Sequence, residues 1–297
     1  MLDVIVIGGG PAGLSAALML GRCRRRVLLC DTGQPRNRRS RALHGYLTRD
    51  GVAPGAFNEM GRAELVKYDV EFRPISVAAV TPLSDRFQVS FEKGRDEAAR
   101  FVLIATGVTD DLPPVPGFEE CYGRSVFHCP YCDGWEWRDR PLAVFGRGAS
   151  GARLALGLKT WSADVLLCSD GTSIGRSLRD RLERNRITVR TERVAGLDHH
   201  EGRLSAIRFA TGEPEPREAL FFSTGQRHHS PLAIQLGCTL TRRGTVKTGT
   251  LCGTNVPGVF VAGDASRDAQ FVIVAAAEGV KAAVAINKAL QERELLV

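Results

Sequence analysis

Apolar residues near the start of the chain come in short unbroken runs separated by glycine. Residues 3–7 form a largely β-branched run that Gly8, Gly9 and Gly10 stop, and residues 12–22 then space alanines and leucines at helical intervals. Residues 26–30 turn apolar again and close on Asp31. A run without polar alternation predicts a strand buried on both faces, so the order reads strand, glycine turn, helix, strand of a parallel sheet. The pattern returns as a strand at 142–145, a glycine loop at 146–151, a helix at 152–160 and a strand at 164–168. Each copy then runs into an apolar segment ending in Thr-Gly, at Gly107 and at Gly225. Such an arrangement predicts a weak internal duplication of one nucleotide-binding module.

The Pro-rich segment 112–117 predicts a crossing strand out of the first module, with 226–231 as its counterpart on return. Beyond that return, the chain reads as a buried strand entering Gly263 and Asp264 and a helical run over 271–290. Those last residues are too few for a core of their own and must complete the first module. The expected fold class is α/β, with two Rossmann-like nucleotide-binding domains, the second inserted into the first. The discontinuous domain spans 1–111 and 228–297, and the inserted one 112–227.

The chemistry expected of the first glycine loop follows from its residue types. Gly8 allows the tight turn, Gly10 lets backbone approach a pyrophosphate, Gly13 lets the helix pack close to the strand, and Pro11 and Ala12 open that helix. Asp31, about 20 positions on, is placed to accept ribose hydroxyls. Between the two glycine loops lie Cys129 and Cys132, spaced as Cys-x-x-Cys and followed by Asp133. Two thiols at that spacing can close a disulfide, and a carboxyl group beside them can carry the proton that electron transfer leaves behind. His128 adjoins Cys129 and is a candidate to lower its thiol pKa, with a plain packing role as the alternative. A zinc half-site is the other reading of the pair, but no second pair with suitable spacing exists to complete it. No metal is expected.

Composition narrows the class. With 43% hydrophobic and 25% charged residues, the chain reads as a globular protein. The apolar start contains Asp3 and three glycines and lacks a basic leader, and no segment is apolar for long enough to span a bilayer. A cytoplasmic location without membrane association is expected. The net charge of +7 is scattered and has no basic stripe with interleaved aromatics, which argues against a nucleic-acid partner. Of the eight cysteines only Cys129 and Cys132 have redox spacing.

The order of these motifs resembles the low-molecular-weight thioredoxin reductases and their flavin-dependent relatives over essentially the whole chain. Family members carry Cys-x-x-Cys-Asp-Gly before the second glycine loop, matched by Cys129, Cys132, Asp133 and Gly134, and a C-terminal Ala-Gly-Asp, matched by Ala262, Gly263 and Asp264. The resemblance implies FAD, held by Gly8, Gly10, Pro11, Ala12, Gly13, Asp31, Asn37, Ala105, Thr106, Gly107, Gly263, Asp264, Gln270 and Phe271. It also implies that Cys132 faces the flavin, that Cys129 exchanges disulfides with the substrate, and that Asp133 is the acid/base. A homodimer follows from the same resemblance, as does a small dithiol or disulfide substrate or a thioredoxin-like protein partner.

Two departures shift the picture. Where NADPH-dependent members carry a His-Arg-Arg signature, this chain reads Cys168, Ser169, Asp170, Gly171, and an aspartate there repels a 2′-phosphate. NAD(P)H use is therefore doubtful, with Arg176 the nearest substitute in sequence, and the loop 146–151 can equally be vestigial. Gln270 and Phe271 stand where reductases carry Arg-Gln. Together with Arg36, Asn37 and the segment 44–50, these departures resemble the branch that includes dithiol oxidases of disulfide-bearing natural products. The expected function is an FAD-dependent thiol–disulfide oxidoreductase leaning to dithiol oxidation with oxygen as acceptor. The alternatives are an NAD(P)H-dependent thioredoxin-disulfide reductase and, from another class, a non-catalytic flavin-binding sensor.

Overall fold

Val4 and Val6 pack on one side of the first strand, and Ile5 and Ile7 on the other, each pair in a separate buried cluster. That two-sided burial is why the run shows no polar alternation. The computed structural model describes residues 1–266 and 269–295. The chain begins β1 (Leu2–Ile7), α1 (Pro11–Arg22), β2 (Val27–Cys30), α2 (Pro54–Val66) and β3 (Glu71–Arg73). It continues through β4 (Val77–Pro82), β5 (Phe87–Phe91), β6 (Glu97–Ile104) and β7 (Val108–Asp110). Next come α3 (Phe118–Cys121), β8 (Val126–Phe127), α4 (Pro130–Asp133), β9 (Leu142–Gly146), α5 (Gly148–Leu158) and β10 (Val165–Cys168). After these stand α6 (Arg176–Arg184), β11 (Thr188–Arg190), β12 (Val194–His200), β13 (Arg203–Phe209), β14 (Glu215–Pro216) and β15 (Ala219–Ser223). The return is β16 (Gln226–His228), α7 (Leu232–Gln235), β17 (Val259–Val261) and α8 (Val272–Leu295).

Two compact units divide these elements. The first comprises 1–38, 46–109 and 226–297, the second 39–45 and 110–225. In the first, β3, β2, β1, β6 and β17 are parallel neighbours, and β6 also carries the antiparallel pair β5 and β4. In the second, β11, β10, β9, β15 and β8 are parallel, with a separate antiparallel sheet of β12, β13 and β14. Equivalent registers underline the repeat: Ile7 pairs with Cys30 and Ile104, and Phe145 with Cys168 and Phe222. In the second unit Ala143, Phe145 and Phe222 join the cluster that includes Leu197 and Ile207 of β12 and β13. Leu142, Val144 and Phe221 join the one that includes Ala152 and Leu182 of α5 and α6.

The structure corrects the sequence-based expectations in three places. The expected crossing strand at 112–117 is a turn leading into α3; the crossing strands are β7 and β16, which pair with each other. Three prolines within 113–116 remove the amide donors a ladder needs, which is why pairing falls upstream of them. The second module's helix starts at Gly148 rather than at 152, because the later loop glycines already form its first turn. The stretch 39–45 clusters with the second unit. There the Arg39 guanidinium donates to the Glu119 carbonyl at 2.8 Å and to Oε1 at 2.6 Å.

The last helix completes the first unit through a close backbone approach. A Cβ on Gly279 of α8 would collide with the carbonyl of Ala12 in the first turn of α1, so only glycine lets the two helices lie this close. Gly279→Ala must push them apart and is expected to cost about 1–3 kcal/mol of stability. Urea unfolding measures it, and an unchanged midpoint would show that the contact is slack.

Candidate functional site

The turn between β1 and α1 consists of Gly8, Gly9 and Gly10 alone. Gly10 is the N-cap, no side chain bonds the amides of the first turn, and Pro11 fills a position whose own donor would be unused. A Cβ on Gly10 would meet nothing within 4 Å, so space lies open before the helix N-terminus. At Gly13, by contrast, a Cβ would strike the carbonyl of Gly8. Asp31, at the end of β2, accepts the Gly9 amide at 3.0 Å and the Gly33 amide at 3.2 Å, which holds the loop against the strand end.

Two further segments reach the same sheet edge. The Ala105 amide donates to the Ile7 carbonyl at 2.8 Å, setting Ala105, Thr106 and Gly107 beside the end of β1. The Ala262 amide donates to Ile104, and Asp264 lies next to Gly107. Arg36, whose side chain is only 13% exposed, donates from Nη1 to Asp264 Oδ2 at 2.9 Å and to Gln270 Oε1 at 2.7 Å. Gln270 and Gln226 exchange amide hydrogen bonds at 3.0 and 2.8 Å. Phe271 is half-buried, and its carbonyl accepts the Ala275 amide in α8. Asn37 lies half-buried next to Arg36 in the chain. The sequence-predicted residues of the first unit thus gather at the C-terminal edge of one parallel sheet, where such folds bind nucleotides. Arg36 is the residue that sequence reading missed as a ligand-site residue. One arginine among the several of residues 36–41 is not distinguished as a site residue until its burial and partners are known.

Cys129 and Cys132 are joined by a disulfide, with Cα atoms 5.3 Å apart. Cys129 caps α4, and its Sγ accepts the Cys132 amide at 3.1 Å. A hydrogen bond to that sulfur favours its thiolate once the disulfide opens. Among the other cysteines, burial pushes the thiols of Cys30 and Cys168 up to about 12, which makes both inert. Gly134 follows at close quarters with Trp161, and Tyr131 stands edge-on to Trp161 at 5.4 Å while remaining 75% exposed. Trp135 is also exposed and lies under the Arg138 guanidinium at 4.1 Å. Trp137 packs against Phe127, and Phe145 is core.

His128 sets its ring beside Phe222, with Nδ1 3.9 Å from Oδ2 of the buried Asp110. The same oxygen accepts the Tyr122 hydroxyl at 2.6 Å. Burial, with the charge of Glu136 as a smaller contribution, pushes the Asp133 carboxyl up to about 7. A group that is half protonated near neutral pH is matched to giving and taking protons.

The second glycine loop has the shape of the first with different electrostatics. A Cβ on Gly151 would strike Gly146, as at Gly13 and Gly8. Ser169 follows β10 where Asp31 follows β2, and the acid comes one residue later: Asp170 Oδ2 pairs with Arg147 of the loop at 2.6 Å and its Oδ1 accepts the Val194 amide at 3.1 Å. Arg176 opens α6. No group of His, Cys, Asp and Glu able to hold a metal occurs among the described residues, and none of their helices is long and apolar enough to cross a membrane.

Residues 2–279 match the family model described as pyridine nucleotide-disulphide oxidoreductase. The chain belongs to that family. Within it, a thioredoxin reductase of Claviceps purpurea, tcpT, is 32% identical over 89% of this chain and 86% of its own length. The crystal structure of HlmI superposes with a TM-score of 0.96 at 37% identity, covering 99% of this chain and 94% of the other. Thioredoxin reductase from Streptococcus pyogenes superposes with a TM-score of 0.90 at 25% identity, covering 98% and 99%. The protein is accordingly an oxidoreductase of the thioredoxin reductase-like, two-Rossmann-domain type, and the family implies FAD. The first unit fits that cofactor: an open cradle before the α1 N-terminus for the pyrophosphate, Asp31 for the adenosine ribose, and Asp264 on the adjoining loop.

A limb near pH 7 is expected in the rate of thiol exchange at the disulfide, and Asp133→Asn should abolish it, as stopped-flow rates against pH would report. The stability effect has a definite sign. The folded pKa is raised from 3.8 to about 7, so wild-type stability from this group is full below 3.8 and lost as pH rises to about 7. Asp133→Asn should therefore gain thermal stability over wild type at pH 8 and show no such gain at pH 3.

Proposed function

We propose that this protein is an FAD-dependent dithiol oxidase, in which a small dithiol reduces the Cys129–Cys132 disulfide and oxygen is the final acceptor. The thiolate of the substrate attacks Cys129 Sγ, the bond to Cys132 breaks, and Cys132 leaves as a thiolate. The second substrate thiol then displaces Cys129, releasing an oxidised product and leaving two reduced cysteines on the enzyme. Asp133 takes up and returns the protons of these exchanges. Bound FAD supplies the two-electron acceptor that regenerates the enzyme disulfide. Tyr131 and Trp135, exposed close to the disulfide in the chain, offer an apolar substrate an aromatic surface.

The observation that carries the oxidative direction is Asp170. A 2′-phosphate is ordinarily gripped by arginine forks, and here the turn after β10 presents a carboxylate whose oxygens engage Arg147 and the Val194 amide. Arg147, reaching over from the glycine loop, is itself neutralised by that pairing. That pairing speaks against a grip on a 2′-phosphate at Asp170 and supports a dithiol as the source of electrons.

In an anaerobic titration, a small dithiol is expected to bleach the bound flavin and air to restore its colour, while micromolar NADPH does neither. Rapid stoichiometric bleaching by NADPH would instead establish a reductase. Cys129→Ser and Cys132→Ser should each keep FAD and lose dithiol turnover, and full activity in either would remove the pair from the reaction.

A further inference from the structure

Arg36 is a guanidinium largely withdrawn from water, and it holds together segments that are far apart in sequence. From the loop after β2 it reaches Asp264, after β17, and Gln270, just before α8; Gln270 in turn exchanges hydrogen bonds with Gln226 of β16. All four residues belong to the first unit. A charge this buried is costly unless it is paired and hydrogen-bonded, and the Asp264 carboxylate and the Gln270 amide oxygen both serve Arg36 in that way. Both acceptors are residues that the family resemblance places at the flavin. The guanidinium consequently determines where the Asp264 carboxylate and the Gln270 amide stand, and it offsets the negative charge of Asp264.

We propose that Arg36 is a positioning residue of the FAD site, which helps to fix Asp264 and Gln270 for the cofactor and sets a positive charge beside it. The inference rests on FAD being the cofactor and is independent of the direction of electron flow. Removing the guanidinium takes a hydrogen bond from Asp264 and another from Gln270, and takes a positive charge from the flavin site. FAD affinity must then fall, and because reduction adds negative charge to the flavin, its midpoint potential must become more negative.

The test compares wild type, Arg36→Gln, Arg36→Lys and Gln270→Ala. Dissociation constants come from titrating apoprotein with FAD, and midpoint potentials from dye-linked reduction of the bound flavin. Arg36→Gln is expected to weaken FAD tenfold or more and to lower the potential. Arg36→Lys, which keeps the charge but not the fork, should weaken FAD while holding the potential close to wild type. Gln270→Ala should weaken FAD, and less so when Arg36 is already replaced, since the two act through one contact. An Arg36→Gln protein with unchanged affinity and potential overturns the proposal even if it melts at lower temperature, since that is the signature of a purely structural arginine. Should Arg36→Gln fail to fold, unchanged affinity in both Arg36→Lys and Gln270→Ala overturns it equally. Wild type that binds FAD but is not bleached by a dithiol would defeat the oxidase reading and leave this inference standing.

Discussion

With no side chain at Gly279, α8 lies against the carbonyl of Ala12 in the first turn of α1, and that contact joins the end of the chain to its beginning. The nucleotide edge depends on it. α1 delivers its open N-terminus after Gly10, while the segment running into α8 delivers Asp264, Gln270 and Phe271. Neither half can assemble this edge alone, because β17 must pair with β6 and α8 must cover the same cluster that buries Val4, Val6 and Leu103. The insertion of a whole second unit between β7 and β16 is tolerated because those two strands pair with each other, so the chain leaves and re-enters at neighbouring positions.

The duplicated modules show how one backbone plan is given two electrical characters. In both, glycine packs on glycine so that a helix can start directly after a strand. In both, an aspartate follows the next strand, one residue after β2 and two after β10. Asp31 is held by two backbone amides, and its loop has no cationic side chain between Gly8 and Gly13. Asp170 instead faces Arg147, a side chain at the second position of its own loop. The first acid shapes a loop through backbone amides, and the second is one half of an ion pair.

The redox pair is set apart from the other cysteines by environment. Cys30 and Cys168 occupy equivalent core positions at the ends of β2 and β10, where burial keeps the thiol protonated and unreactive. Cys129 and Cys132 lie on a single helical turn at partial exposure, beside a carboxyl group raised into the neutral range. Reactivity on sulfur needs access, which Cys30 and Cys168 lack and this turn provides.

Elements whose signals are local were legible in the chain of residues alone. Continuous apolar runs marked strands buried on two faces, glycines marked loops where backbone meets backbone, and the three-residue spacing of Cys129 and Cys132 marked a closable disulfide. The outgoing crossing strand was misplaced because a proline cluster is a strong local signal, whereas β7 is short and exists through pairing with β16, which falls within the expected return at 226–231. The partners of Arg36, the union of Asp170 with Arg147, and the burial that raises Asp133 arise only once the chain has folded. Each depends on which distant segment lies within hydrogen-bonding reach or excludes water, and neither distance nor dielectric is encoded at a single position.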